Sequence, residues 1–229
     1  MQTLLDAFVS AFQLLTSGDP ELLAIVGLTL RVTGLALLLA LLLGLPVGAL
    51  LGLLGRFPGG GCVIPLIYTG MGLPPVVVGL FVYLLLSRQG PLGGLDWLFT
   101  PSAMVMAQTI IAWPLVVGLT LTAVQSLDPL LPLQLRALGA TRWQMARTML
   151  LESKLGVFAA IVAAFGSIIS EVGAVILVGG NIRGETRVLT TAIVLETRQG
   201  NFDFALALGI VLLLLSFLTN ALAVTLQNK

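Results

Sequence analysis

Leu135-Arg136-Ala137-Leu138-Gly139-Ala140-Thr141-Arg142-Trp143-Gln144-Met145-Ala146-Arg147-Thr148-Met149-Leu150 forms a polar island between two long apolar runs. Arg136, Arg142 and Arg147 would each cost about 3 kcal/mol at the centre of a bilayer. The island therefore belongs at a membrane face, and the runs on either side of it belong in lipid. Its composition is helical around a central Ala-Leu-Gly-Ala turn. A short basic helix held at the membrane face between two spans is a docking element for a cytoplasmic partner.

The rest of the chain agrees with this reading. Of its 229 residues, 58% are hydrophobic and 9% charged, with a mean hydropathy of +1.09. A soluble domain carries about 25% charged residues. Apolar runs of this length exclude a β-barrel, whose strands are short and alternating. The expected fold class is an all-α polytopic membrane protein with five spans, near 22–54, 62–87, 102–125, 153–179 and 203–227. Each is long enough for a hydrocarbon core of about 30 Å. Ahead of them, residues 1–21 form an amphipathic segment. There Leu4, Leu5, Phe8, Phe12 and Leu15 recur at helical spacing and suit the membrane interface. Ser17-Gly18-Asp19-Pro20 ends that segment. Residues 22–229 are read as one transmembrane domain, with the island inside a loop over about 126–152.

A net charge of +1 gives no case for nucleic acid. With no histidine and only Cys62, the chain can form neither a zinc site nor an internal disulfide. No G-x-x-x-x-G-K-[ST] loop is present, so ATP chemistry would need a separate chain. No metal or cofactor is expected in this chain.

Charge sets the expected orientation. With the N-terminus outside, Arg56, Arg136, Arg142, Arg147, Lys154 and Lys229 fall inside or at the inner boundary. Most acids then fall outside: Asp6, Asp19, Glu21, Asp96, Glu185, Glu196 and Asp203. The C-terminus is placed inside. Five spans do not divide into two inverted halves, and five helices make a thin wall for a pore. A homodimer with the path between subunits is the economical solution.

Several residues could carry function. Gly44, Gly48 and Gly52 recur every four residues and allow close helix approach, either within one subunit or across a dimer. Pro74-Pro75 removes two backbone donors and breaks or bends the second span. Such breaks are tolerated where they are buried in protein or line a cavity. Glu171 is the acid deep in the apolar run from Phe165 to Val178, with Ser167 and Ser170 nearby to bond it. It suits a cation or proton site, or equally a structural link between helices; an anionic substrate leaves only the structural role. Pro74, Pro75, Ser170, Glu171 and Gly173 are the candidates for the path or its gate. Asn181, Arg183, Arg187 and Arg198 flank a short apolar segment, Val188 to Arg198, read as a half-helix at the outer face. Its arginines could attract an oxyanion, grip an outer binding protein, or be ordinary solvated charges.

Residues 133–151 resemble the cytoplasmic loop of bacterial ABC importer permeases, E-A-A-x3-G-x9-I-x-L-P. Gly139 takes the place of the glycine. Leu133-Gln134-Leu135 stands where Glu-Ala-Ala is usual, and Leu151 where the proline is usual. Two further stretches, Ser170-Glu171-Val172-Gly173-Ala174 and Gly180 to Ile193, resemble the molybdate/tungstate/sulfate group of these permeases. Tyr68 to Leu80 and Leu195-Glu196-Thr197-Arg198 look most like its tungstate members. The resemblance implies a type I ABC importer permease in the bacterial or archaeal cytoplasmic membrane, working as a homodimer. Two cytoplasmic ATPases, which hold the ATP and Mg, would dock on Arg136, Ala137, Leu138, Gly139, Ala140, Thr141, Arg142 and Arg147. One outer binding protein would deliver the oxyanion, tungstate before molybdate or sulfate. Asn181, Arg183, Arg187 and Arg198 would meet that protein. An ion-coupled carrier using Glu171 is the alternative from another class.

Overall fold

The computed structural model describes residues 8–10, 12–13, 16, 18–55 and 58–227. Leu4, Leu5, Asp6, Leu15, Arg56 and Lys229 lie outside the described residues, so most of the expected amphipathic stripe and two of the inner charges do too. Phe8 and Phe12, which are described, are helical and exposed.

The helices are α1 (Pro20–Leu54), α2 (Gly60–Met71), α3 (Pro75–Leu86), α4 (Pro101–Gln125), α5 (Leu131–Ala137), α6 (Arg142–Glu152), α7 (Lys154–Ile169), α8 (Gly173–Gly179), α9 (Leu189–Arg198) and α10 (Phe202–Gln227). A 3₁₀ turn, Gly93–Leu95, lies between α3 and α4. No strand occurs among the described residues. Local chemistry starts the helices. Asp19 Oδ1 accepts from the N–H groups of Glu21 (2.7 Å) and Leu22 (3.0 Å), with Pro20 at the first helical position of α1. Pro75 likewise opens α3.

By length and composition α1, α4 and α10 can each cross a membrane. The second expected span is interrupted between Met71 and Pro75, as its two prolines require. The fourth expected span, 153–179, needs correction. It is not continuous: α7 stops at Ile169 and α8 begins at Gly173. At 1.5 Å per residue, the sixteen residues of α7 reach only about 24 Å, short of a full crossing. Only taken together with α6 is α7 long and apolar enough for one crossing, and the two helices turn by 77° at their junction.

The described residues fall into two compact units. One is drawn from Met1–Leu35, Pro75–Gln108 and Ile169–Lys229, the other from Ala36–Pro74 and Thr109–Ile168. In the first, Leu22, Leu189, Ala192, Leu208 and Val211 form an apolar core. In the same unit α3 meets α8, and a Cβ on Gly79 would stand 2.5 Å from the Ala174 Cα. In the second unit Ala49, Val124, Ala146 and Met149 form the core. The Gly44/Gly48/Gly52 stripe lies there against α4. A Cβ on Gly48 would approach the Val117 carbonyl oxygen to 2.7 Å, and one on Gly52 would approach the Val124 Cγ1 to 2.7 Å. The stripe is therefore packed within one chain, the first of the two roles its spacing allowed. The outward faces of α1 and α10, among them Leu42, Leu43, Leu213, Phe217 and Leu218, are apolar and exposed, as lipid contact requires.

Candidate functional site

The basic turn is built by two opposed capping devices. At the end of α5 the Gly139 N–H donates to the Arg136 carbonyl (2.9 Å) and the Ala140 N–H to the Leu135 carbonyl (3.0 Å). This is a Schellman ending, which needs a left-handed residue after the helix. Gly139 supplies it with φ of 80°. Two residues later Thr141 opens α6 with a capping box. Its hydroxyl accepts from the Gln144 N–H (3.3 Å), and the Gln144 side chain accepts from the Thr141 N–H (2.8 Å). The chain thus reverses over Leu138 to Ala140 with its backbone groups satisfied. Arg136, Ala137, Leu138, Gly139, Thr141 and Arg142 are all exposed there. Leu138, at 83% exposure, has almost no cover of its own. Arg147 lies further along α6. With Pro46, Trp143, Leu150 and Leu151 it lines a groove of about 210 Å³ in the same unit.

The junction of broken helices brings Pro75 and Glu171 to neighbouring ends of α3 and α8. Val76, the next residue of α3, sits where a Cβ on Gly173 would fall. Glu171 is buried, and its Oε1 accepts from the Ala174 N–H (2.9 Å). The Thr190 hydroxyl donates to the Glu171 carbonyl (3.0 Å). The carboxylate caps α8, where the helix dipole also favours a negative charge. The carboxylate's bond thus stays within its own stretch of chain, and the bond from α9 is made to the Glu171 backbone carbonyl. A test follows. Glu171→Gln keeps an oxygen for the Ala174 N–H and should retain transport, whereas Glu171→Ala removes the cap and lowers stability by about 1 kcal/mol. Thermal unfolding of the purified variants and uptake in cells measure both. A carrier that protonates Glu171 would instead lose uptake in the glutamine variant.

The third site surrounds the loop between α8 and α9. Thr186 is fully buried, its hydroxyl donating to the Gly179 carbonyl and accepting from the Ile182 N–H (2.9 Å). That bridge folds the loop onto the end of α8. Thr186→Val removes both bonds and should lower stability by about 2 kcal/mol, read as a fall in the unfolding midpoint. The loop then presents Arg183 and Arg187 to the start of α1. Arg183 Nε donates to Glu21 Oε1 (2.8 Å) and its Nη2 to Glu21 Oε2. This bond and the Coulomb attraction of Glu21 raise the Arg183 guanidinium further above its ordinary range. Arg187 Nη1 stands 3.7 Å from Glu21 Oε1. Asn181 adopts a left-handed conformation, φ 53°, and its Nδ2 donates to the Thr191 carbonyl (3.4 Å), so it anchors the loop. Arg198 is exposed at the end of α9 and does not line the cleft shared by Arg183 and Arg187. Glu21 was read in the sequence only as an outer acid. Its partner is 162 residues away, so no local pattern announces the pair.

Among the described residues, long apolar helices, interrupted helices and a capped basic turn define a helical membrane protein. The chain belongs to the family described as binding-protein-dependent transport system inner membrane component, whose profile matches residues 44–229. That family is a multi-pass inner-membrane component of a transport system and is not itself an enzyme. A probable anion ABC transporter permease protein of Haloferax volcanii is 44% identical over 213 residues, covering 91% of each chain. The tungstate uptake system permease protein TupB of Peptoclostridium acidaminophilum is 38% identical over 229 residues, covering the whole of both chains. Among solved structures, a bacterial ABC transporter involved in the import of the acidic polysaccharide alginate matches with a TM-score of 0.68 at 26% identity. The match covers 95% of this chain and 82% of the other.

Proposed function

We propose that this chain is the path-forming subunit of an ATP-driven oxyanion importer whose cargo is tungstate. The observation that carries this reading is the end-to-end similarity to a tungstate uptake permease, without gaps in coverage at either end. Residues 22–229 form the permease body, and two copies enclose the path. The segment over 126–152 is the coupling loop, with the N-terminus outside and the C-terminus inside. Arg136 to Arg142 and the tip at Leu138 seat in a cleft of a separate ATPase, which binds ATP and Mg. Exposure of Leu138 beside arginines is what such a seat needs: an apolar knob ringed by charge. Closure of two ATPases draws the two coupling turns together, and the permease subunits rock open toward a loaded outer binding protein. Hydrolysis returns them to the inward state. Pro74, Pro75, Ser170, Glu171 and Gly173 mark the broken helices where rigid pieces can pivot. Exposed Arg183 faces the outer binding protein in this arrangement, with the largely buried Arg187 behind it and Asn181 holding their loop. The binding protein sets most of the choice among oxyanions.

Uptake of radiolabelled tungstate by cells with and without the chain tests this reading. Uptake that requires the chain, resists excess sulfate and yields weakly to molybdate is expected. Equal competition by molybdate would replace tungstate with a shared oxyanion specificity, and chain-independent uptake would remove the assignment.

A further inference from the structure

A cleft of about 670 Å³ in the first unit is lined by Arg31, Arg183, Arg187, Glu21 and Glu185, among others. Its charges are unevenly matched. Glu21 grips Arg183 through both carboxylate oxygens. The same carboxylate is the only acid within 4 Å of Arg187 among the described residues, at 3.7 Å, beyond hydrogen-bond reach. The Arg187 side chain is only 17% exposed, and its Nε is buried with no acceptor. Arg31 stands about 16 Å along α1 from Pro20. Neither Arg31 nor Glu185 forms an ion pair among the described residues. This cleft itself sets three arginines against Glu21 and Glu185, while Asp19 and Glu196 line a second cleft that Glu21, Arg183 and Arg187 share.

Guanidinium groups recognise tetrahedral oxyanions as they do carboxylates, through paired N–H donors. An exposed ion pair such as Glu21–Arg183 is weak, so a dianion can displace the monoanionic side chain. A resident competitor also keeps such binding weak enough for release. We propose that this cleft is a transient oxyanion-binding site, with Glu21 as the resident counter-ion that an incoming tetrahedral dianion displaces from Arg183 and Arg187. Arg31 supplies the remaining positive charge. The identity of the anion as cargo rests on the transport reading above; the binding itself does not.

Equilibrium dialysis of the purified permease, without ATPase or binding protein, tests the site. The probes are tungstate and sulfate at low salt. The wild-type chain should bind both weakly and competitively. Glu21→Gln should tighten binding several-fold by removing the competitor. Adding Arg187→Gln to that variant should abolish it, and adding Arg31→Gln should weaken it. Monodispersity and an unchanged unfolding midpoint certify each variant as folded. Equal affinity in the wild type and Glu21→Gln, or undiminished binding after Arg187→Gln, overturns the proposal. Chain-dependent tungstate uptake with no oxyanion bound to Glu21→Gln would sink the cleft and spare the importer. Binding at the cleft without chain-dependent uptake would do the reverse.

Discussion

Replacing Gly139 with arginine is expected to abolish capture of the ATPase while leaving the chain inserted in the membrane. Two effects combine at this position. With φ of 80°, any side chain with a Cβ is strained there, by about 1 kcal/mol. That strain falls on the Schellman ending, which sets the angle between α5 and α6. The second effect is larger: a long cation would stand beside Leu138 at the tip, where the proposed seat must close over the turn. Gly139→Ala separates the two. A Cβ at Gly139 meets nothing within 4 Å, so alanine brings strain without bulk. Pull-down from detergent extracts should recover the ATPase with the alanine variant at reduced yield and recover none with the arginine variant. Undiminished recovery with Gly139→Arg would place the ATPase contact elsewhere.

The second large effect is expected at Gly79. A Cβ there falls 2.5 Å from the Ala174 Cα and 3.1 Å from its Cβ. The obstacle is backbone, which cannot turn aside as a side-chain end can. Gly79→Val should force α3 off α8, with destabilisation of about 3 kcal/mol, at the upper end for overpacking. Because Glu171 caps α8 and Val76 fills the space beside Gly173, the same shift disturbs the whole junction of broken helices. Size-exclusion profiles after mild heating report the loss. Gly27→Val, where a Cβ meets nothing within 4 Å, is the control and should behave as wild type. A Gly79→Val protein as stable as that control would mean that α3 and α8 do not pack as described.

These two glycines mark the boundary of what sequence patterns disclose. Gly139 was legible because its neighbours are polar: an arginine-bearing segment between apolar runs has one place to go, and a glycine at its centre signals a reversal. Asp19-Pro20 was read only as the end of the first segment and Thr141 with Gln144 was not singled out, although both caps are local chemistry. Gly79 carried no such signal, because what it accommodates is Ala174, brought there by the fold. The fourth span failed for a related reason. Hydropathy averages over Phe165 to Val178 and is blind to the direction of the helix axis. What breaks the helix is a carboxylate turned back onto the Ala174 N–H and a threonine hydroxyl from nineteen residues downstream. The Gly44/Gly48/Gly52 spacing announced close packing but not its partner, which turns out to be α4 of the same chain. In the third site, Arg183 and Arg187 were visible as charges. Their shared acid and the cleft around them required the chain to close over a separation of 162 residues.

The measurement that tests the central claim most directly is tungstate accumulation in proteoliposomes containing this chain, its ATPase and the loaded binding protein. Accumulation that requires ATP on the ATPase side and the binding protein on the opposite side is expected, and Gly139→Arg should eliminate it. Accumulation without ATP that follows an imposed proton gradient and disappears in Glu171→Gln would contradict the importer and establish an ion-coupled carrier instead.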